Sequence, residues 1–152
     1  MEGSPQKRKR DSTHPTAAAD FERLAEGAFH ARLAATPGVA AVLFTAPHCG
    51  ACRAWKRLLP DALAGVADRL YEVDVSEATG VARYYGIFHL PAIYLYRDGR
   101  FHAELRCEAR ALVVRATAVR VLAEKAREEP RGLCTARTRP LFVERRRQRY
   151  DV

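Results

Sequence analysis

Apolar residues along this chain fall into two kinds of spacing. Val39-Ala40-Ala41-Val42-Leu43-Phe44 is an unbroken apolar run, the pattern of a strand covered on both faces. Leu70-Tyr71-Glu72-Val73-Asp74-Val75 alternates in part and predicts a second strand. Ala92–Arg97 and Arg100–Arg106 flank Asp98-Gly99, the dipeptide that favours a tight hairpin. Elsewhere the spacing is helical. Phe21, Leu24, Ala25, Ala28 and Leu33 share one face of a helix expected to open near Thr16 and to stop at Pro37-Gly38. Cys49–Ala67 reads as a helix that Pro60 breaks or kinks. Ser76 reads as the N-cap of a short helix through Tyr85, closed by Gly86. A last helix is expected from about Ala109 to Glu128, its apolar face made by Leu112, Val113, Ala116, Val119 and Ala123. A strand–helix–strand unit followed by a hairpin and a helix predicts an α/β fold: a mixed four-stranded sheet with helices on both faces.

Length and charge refine this outline. The chain has 152 residues, 48% apolar and 29% charged, which suits one globular domain. Its net charge of +8 sits mainly at the ends: +2 over residues 1–14, +5 over 125–152 and only +1 between. The expected organisation is a basic disordered segment at 1–15, a domain at 16–129 and an Arg-rich tail at 130–152. A nearly neutral domain with no aromatic interleaving in its basic clusters does not suggest a nucleic-acid partner. No apolar run is long enough to span a bilayer, so no membrane partner is expected. The basic start is followed by no apolar stretch, which gives no secretory signal; a cytoplasmic protein is expected. Four cysteines in a reducing compartment suggest redox or metal work.

Cys49-Gly50-Ala51-Cys52 carries the candidate chemistry. It stands where the first strand ends and a helix begins. A sulfur at a helix N-terminus meets unpaired N–H groups and the positive end of the macrodipole, which favour thiolate. The second cysteine is one turn on, close enough to form a disulfide with the first. Two inert thiols and a metal site are the alternatives. With His48 the pair supplies three ligands where a structural zinc needs four, and no second Cys-x-x-Cys follows, so no metal is expected. His48 as an imidazolium would lower the Cys49 pKa further; as a surface residue it does nothing. Arg53, Lys56 and Arg57 place positive charge beyond the pair, either a solvated face or a means of steering acidic partners. Trp55 shares a face with Cys52, Leu59 and Ala62 and reads as core.

With these elements in place, the chain resembles the thioredoxin family over roughly residues 16–126. The resemblance rests on Phe44-Thr45-Ala46-Pro47-His48-Cys49-Gly50-Ala51-Cys52, on Val73-Asp74-Val75, and on Tyr85–Gly99 with Leu90-Pro91 ahead of a strand and an Asp-Gly turn. It implies thiol–disulfide exchange, with Cys49 as nucleophile and Cys52 as resolving thiol. It implies a cis Leu90–Pro91 bond, where sequence alone leaves an ordinary edge-strand proline, and substrate contact through His48, Gly50, Ala51, Leu90 and Pro91. Protein disulfides would be the substrates, a reductase or small thiol the electron donor, and no cofactor is implied. Cys107 falls near the family's peptide-binding surface and is a candidate for redox regulation; a plain apolar thiol is the alternative. The chain also departs from the family. His48 replaces a tryptophan and Ala51 a proline, which leans the couple towards oxidation. Leu43 stands where a buried aspartate is common, the place of its usual lysine neighbour falls near Leu70, and no extra N-terminal strand is visible. A binding module or redox sensor on the same fold is the other functional class that fits.

Overall fold

In the computed structural model of this protein, residues 20–132 are described. The expected basic segment 1–15, the opening of the first helix at 16–19, and Cys134 with the Arg-rich stretch from 133 onward lie outside them.

Five strands form one mixed sheet. They are β1 (Phe21–Arg23), β2 (Val39–Thr45), β3 (Arg69–Asp74), β4 (Ala92–Arg97) and β5 (Arg100–Glu104), in the spatial order β1-β3-β2-β4-β5. β1, β3 and β2 are parallel, while β4 pairs antiparallel with β2 and with β5. Helices α1 (Phe29–Ala34) and α3 (Thr79–Tyr85) contribute to the core on one face, and α2 (Gly50–Ala62) and α4 (Ala111–Ala123) to the core on the other. The expected α/β fold is borne out, with one strand more than foreseen.

β2 lies at the centre of both cores. Val42 and Phe44 point to the α1/α3 side, Ala41 and Leu43 to the α2/α4 side, and all four are essentially sealed from solvent. Burying a valine, leucine or phenylalanine side chain contributes about 1.5–3 kcal/mol. On the α1/α3 side an aromatic cluster packs edge-on: Phe44 lies 5.0 Å from Tyr94, Tyr85 5.4 Å from Tyr94 and Phe29 5.8 Å from Tyr85, measured between ring centres. The Tyr96 hydroxyl donates to Tyr85 at 3.2 Å, and Tyr85 donates to Glu129 Oε1 at 3.0 Å.

Several sequence expectations are corrected. The first helix spans only Phe29–Ala34, after a 3-10 turn at Glu26–Ala28. Phe21–Arg23 instead pairs with β3, and the Leu24 N–H extends the pairing to the Glu72 carbonyl at 2.9 Å. Three residues are too few for periodicity to separate strand from helix. Second, α2 ends at Ala62 and not at Ala67; Pro60 lies in its last turn. Third, Ser76 does not cap α3. Its N–H and hydroxyl both donate to Asp74 Oδ1, at 2.9 and 2.6 Å, in a turn before the helix. Glu26 Oε1 supplies the cap from a distance, accepting from the Val81 N–H at 3.1 Å over Gly80, where a Cβ would collide with that carboxylate. Fourth, α4 buries Val114, Ala118, Val121 and Leu122, leaving Leu112 82% and Val119 51% exposed. The helix is apolar nearly all round, so several stripes compete in sequence; contact with Leu59, Leu63 and Leu105 selects one.

Asp98-Gly99 makes the expected tight hairpin, with φ of 49° and 79°. Gly99 is also required by space, since a Cβ would meet the α1 backbone at 2.8 Å. After Ala123 the chain leaves the helix earlier than expected and crosses the edge of the sheet. The Arg127 N–H donates to His102 O on β5 at 2.7 Å, and the Gly132 N–H reaches Tyr84 O at 2.7 Å on the other face.

Replacing Leu122 with alanine is expected to lower unfolding free energy by about 2–5 kcal/mol, whereas Leu112→Ala changes it by no more than about 0.5 kcal/mol. Urea denaturation of the two variants checks the assignment of the buried stripe. The tyrosine cluster predicts a second behaviour. Burial pushes Tyr94 up to about 12, with Glu104 adding to the shift, and pushes Tyr85 and Tyr96 higher still. A pKa raised in the folded state gives stability that is intact below the ordinary value near 10 and is lost as pH rises beyond it. Stability should therefore decline from about pH 10 upward, and Tyr94→Phe should flatten the decline in pH-dependent denaturation.

Candidate active site

β2 ends at Thr45, and three residues separate it from the cysteine that opens α2. The turn depends on His48, whose φ of 63° is left-handed. Gly50 is the first residue of α2, and a Cβ there would meet nothing within 4 Å. Cys49 is the N-cap: its backbone is extended and its Sγ accepts the Cys52 N–H at 3.2 Å. The sulfur thus occupies a place commonly taken by a serine or aspartate oxygen. A disulfide joins Cys49 to Cys52, with 5.2 Å between their α-carbons.

The two sulfurs are not equivalent. Cys49 is half-buried beside the exposed His48, Gly50 and Ala51, whereas Cys52 is 3% exposed. Trp55 is half-buried against the α2/α4 core, on the same side as Leu59 and Ala62. The Leu90–Pro91 peptide is cis. Ala92, directly after it, lies opposite Phe44 in the β2–β4 register, so the Leu90-Pro91 loop and the Cys49 loop leave the same end of the sheet. Leu90 is half-buried against the α1/α3 core, and Phe88 in the same loop is 79% exposed.

A cleft of about 220 Å³ is lined by Cys52 together with Thr45, Lys56, Glu72, Asp74 and Arg23. Lys56 Nζ donates to Glu72 Oε2 at 2.5 Å, and Thr45 Oγ1 donates to Glu72 Oε1 at 3.2 Å. Asp74 is held below its ordinary value, first by the Ser76 hydroxyl and further by the Arg23 guanidinium at 3.0 Å. The side chains of Glu72 and Asp74 are only 16% and 11% exposed. Sequence reasoning missed both carboxylates. The available signal was their two-residue spacing in a strand whose neighbour on the same face, Leu70, is buried. It also grouped Lys56 with Arg53 and Arg57 as a basic face; the structure binds Lys56 to Glu72 and leaves the two arginines exposed with no ion pair among the described residues.

Cys107 lies in the β5–α4 connection, half-buried against the α2/α4 core. Burial pushes its thiol up, partly offset by a hydrogen bond with Thr117 and reinforced by Glu108. Among the described residues no group of three or more His, Cys, Asp or Glu side chains could hold a metal ion. No helix among them is long and apolar enough to cross a membrane.

Comparison with known proteins agrees with this geometry. The sequence model of the Thioredoxin family matches residues 20–117. Protein disulfide-isomerase A3 of Gallus gallus is 34% identical over 88 residues, which are 54% of this chain and 17% of that protein. A tRNA dimethylallyltransferase of Phenylobacterium zucineum is 35% identical over 107 residues, 65% of this chain and 33% of that protein. The chain therefore spans a third or less of the length of these relatives. Among solved structures, the zinc-bound form of human ERp44 superposes with a TM-score of 0.57 at 18% identity, over 66% of this chain and 32% of that one. At that identity the likeness is one of fold.

With the Cys49–Cys52 pair oxidised and Cys134 replaced by serine, Cys107 is expected to react with iodoacetamide at pH 7 several-fold more slowly than a free cysteine. Mass spectrometry of quenched samples measures this, and a rate matching free cysteine would remove the burial argument.

Proposed function

Because the chain belongs to the thioredoxin family, we propose that it is a thiol–disulfide oxidoreductase whose Cys49–Cys52 pair exchanges with protein disulfides. The observation that carries this reading is the asymmetry of the pair, a half-exposed sulfur at the α2 N-terminus and a second sulfur buried one turn on. In the reduced form Cys49 ionises first. The Cys52 N–H and the other unpaired donors of the helix start stabilise its thiolate. That thiolate attacks one sulfur of the substrate and releases the other as a thiol. Cys52 then attacks Cys49 Sγ, re-forms the internal disulfide and frees the second substrate sulfur. The Leu90 backbone offers the bound peptide a short strand pairing beside the disulfide. A reductase or small thiol returns the two electrons.

Insulin-disulfide reduction with a thiol donor tests the reading. Wild type should turn over, Cys49→Ser should not, and Cys52→Ser should accumulate a mixed disulfide at Cys49 visible by mass. Formation of the internal disulfide without turnover under any donor would point instead to a redox sensor.

A further inference from the structure

A second cavity, of about 320 Å³, lies towards the other end of the sheet from the cysteine pair. Tyr96 in its lining stands opposite Ala40, near the start of β2, whereas the Cys49 loop follows the end of that strand. The volume falls within the range of pockets that enclose small organic molecules.

Three parts of the fold build this cavity. Helix α1 contributes Leu33 and His30, the β4–β5 hairpin contributes Arg100 and Phe101, and the segment after α4 brings in Glu129. Gly99 lets the hairpin come close to α1, since a Cβ there would meet the helix backbone at 2.8 Å. The hydrogen bond from the Arg127 N–H to His102 O fixes the path of the last segment two residues before Glu129.

The lining combines aromatic rings with two opposite charges. Tyr85 and Tyr96 are 3% and 2% exposed, and their hydroxyls form a chain that ends on Glu129 Oε1. Phe101 meets Tyr96 edge-on at 5.8 Å between ring centres, and Leu33 is buried. Glu129 is half-buried and accepts one hydrogen bond, from Tyr85, among the described residues. A carboxylate offers about four acceptor positions, so most of its capacity is open. Arg100 is exposed and makes no ion pair among the described residues. The remaining titratable side chain, His30, is held edge-on to Phe29 at 5.1 Å and Tyr84 at 5.4 Å.

From this arrangement we infer that the cavity binds a small zwitterion with an apolar body, of the kind of a free apolar amino acid, its ammonium at Glu129 and its carboxylate at Arg100. The site is separate from the dithiol and does not depend on the oxidoreductase reading. The charge pattern selects this class. A simple cation would bring its charge against Arg100, and a simple anion would bring its charge against Glu129. A neutral molecule would cover the Glu129 carboxylate without supplying a counter-charge, which is costly. A zwitterion pairs both groups. The guanidinium of Arg100 suits a carboxylate through two parallel hydrogen bonds. The tyrosine rings favour a nearby ammonium, and Leu33 and Phe101 offer an apolar surface to the rest of the molecule.

Isothermal titration calorimetry of the full chain tests the inference with L-phenylalanine and L-leucine as probes. Phenylacetate and 2-phenylethylamine, which each lack one of the two charges, are the controls. At least one amino acid should bind with a Kd of about 1 mM or tighter. For L-phenylalanine, each control should be weaker by about tenfold or more. Glu129→Gln keeps an acceptor for Tyr85 but removes the negative charge. It should weaken the amino acids by about tenfold and bring phenylacetate level with L-phenylalanine. Arg100→Met should weaken them similarly and bring 2-phenylethylamine level with L-phenylalanine. Arg100 is on the surface, so this variant decides if Glu129→Gln does not fold. No binding of either amino acid up to about 10 mM overturns the inference. Controls that bind as tightly as L-phenylalanine to the wild type, or amino-acid affinities that stay within about twofold in both variants, overturn it as well.

Discussion

The burial of β2 on both faces is the constraint on which the rest of the structure depends. A strand covered by helices on each side cannot shift register without moving Val42 and Phe44 into the opposite core from Ala41 and Leu43. Its C-terminal end is therefore fixed against β3 and β4 alike. The turn at Ala46-Pro47-His48 starts from that fixed end, and α2 starts from the turn. The cysteine pair inherits its position from a strand buried on both faces, although Cys49 itself is only half-buried.

The same geometry divides labour between two sulfurs and two carboxylates. At the α2 N-terminus Cys49 is half-exposed, while the buried Cys52 belongs to the lining of a cleft rich in charge. One carboxylate in that cleft is tied by Ser76 and Arg23, and the other is held by Thr45 and Lys56. Buried charge is costly unless paired, and here each acid has a cation beside it. Leu43, opposite Glu72 in the register, is wholly buried, so acidity on this face of the sheet comes from β3 and not from β2.

What could be read from the residues depended on how much of the relevant physics is local. The β2 run, the Asp98-Gly99 hairpin, the Gly86 stop and the cysteine pair at the start of α2 are set by near neighbours and were legible. The expectation of Leu90-Pro91 as a cis bond came from family likeness, since its local signal is weak. β1 was misread because three residues gain strand character only by pairing with β3, some fifty positions away. The face of α4 was misread because Leu112 and Val119 compete with Val114 and Leu122 on hydrophobicity alone, and only the core they pack against decides. Glu72 was passed over for a similar reason, since its partners on β2 and α2 are brought beside it by the fold.

The segment after α4 closes the open side of the sheet. Its link from Arg127 to β5, and its anchorage through Glu129 and Gly132, set a covalently attached cover over strand β5. The opposite border is β1, only three residues long. Among the described residues neither margin offers a foreign strand a long row of free backbone groups, which limits template-like growth of the sheet into larger aggregates.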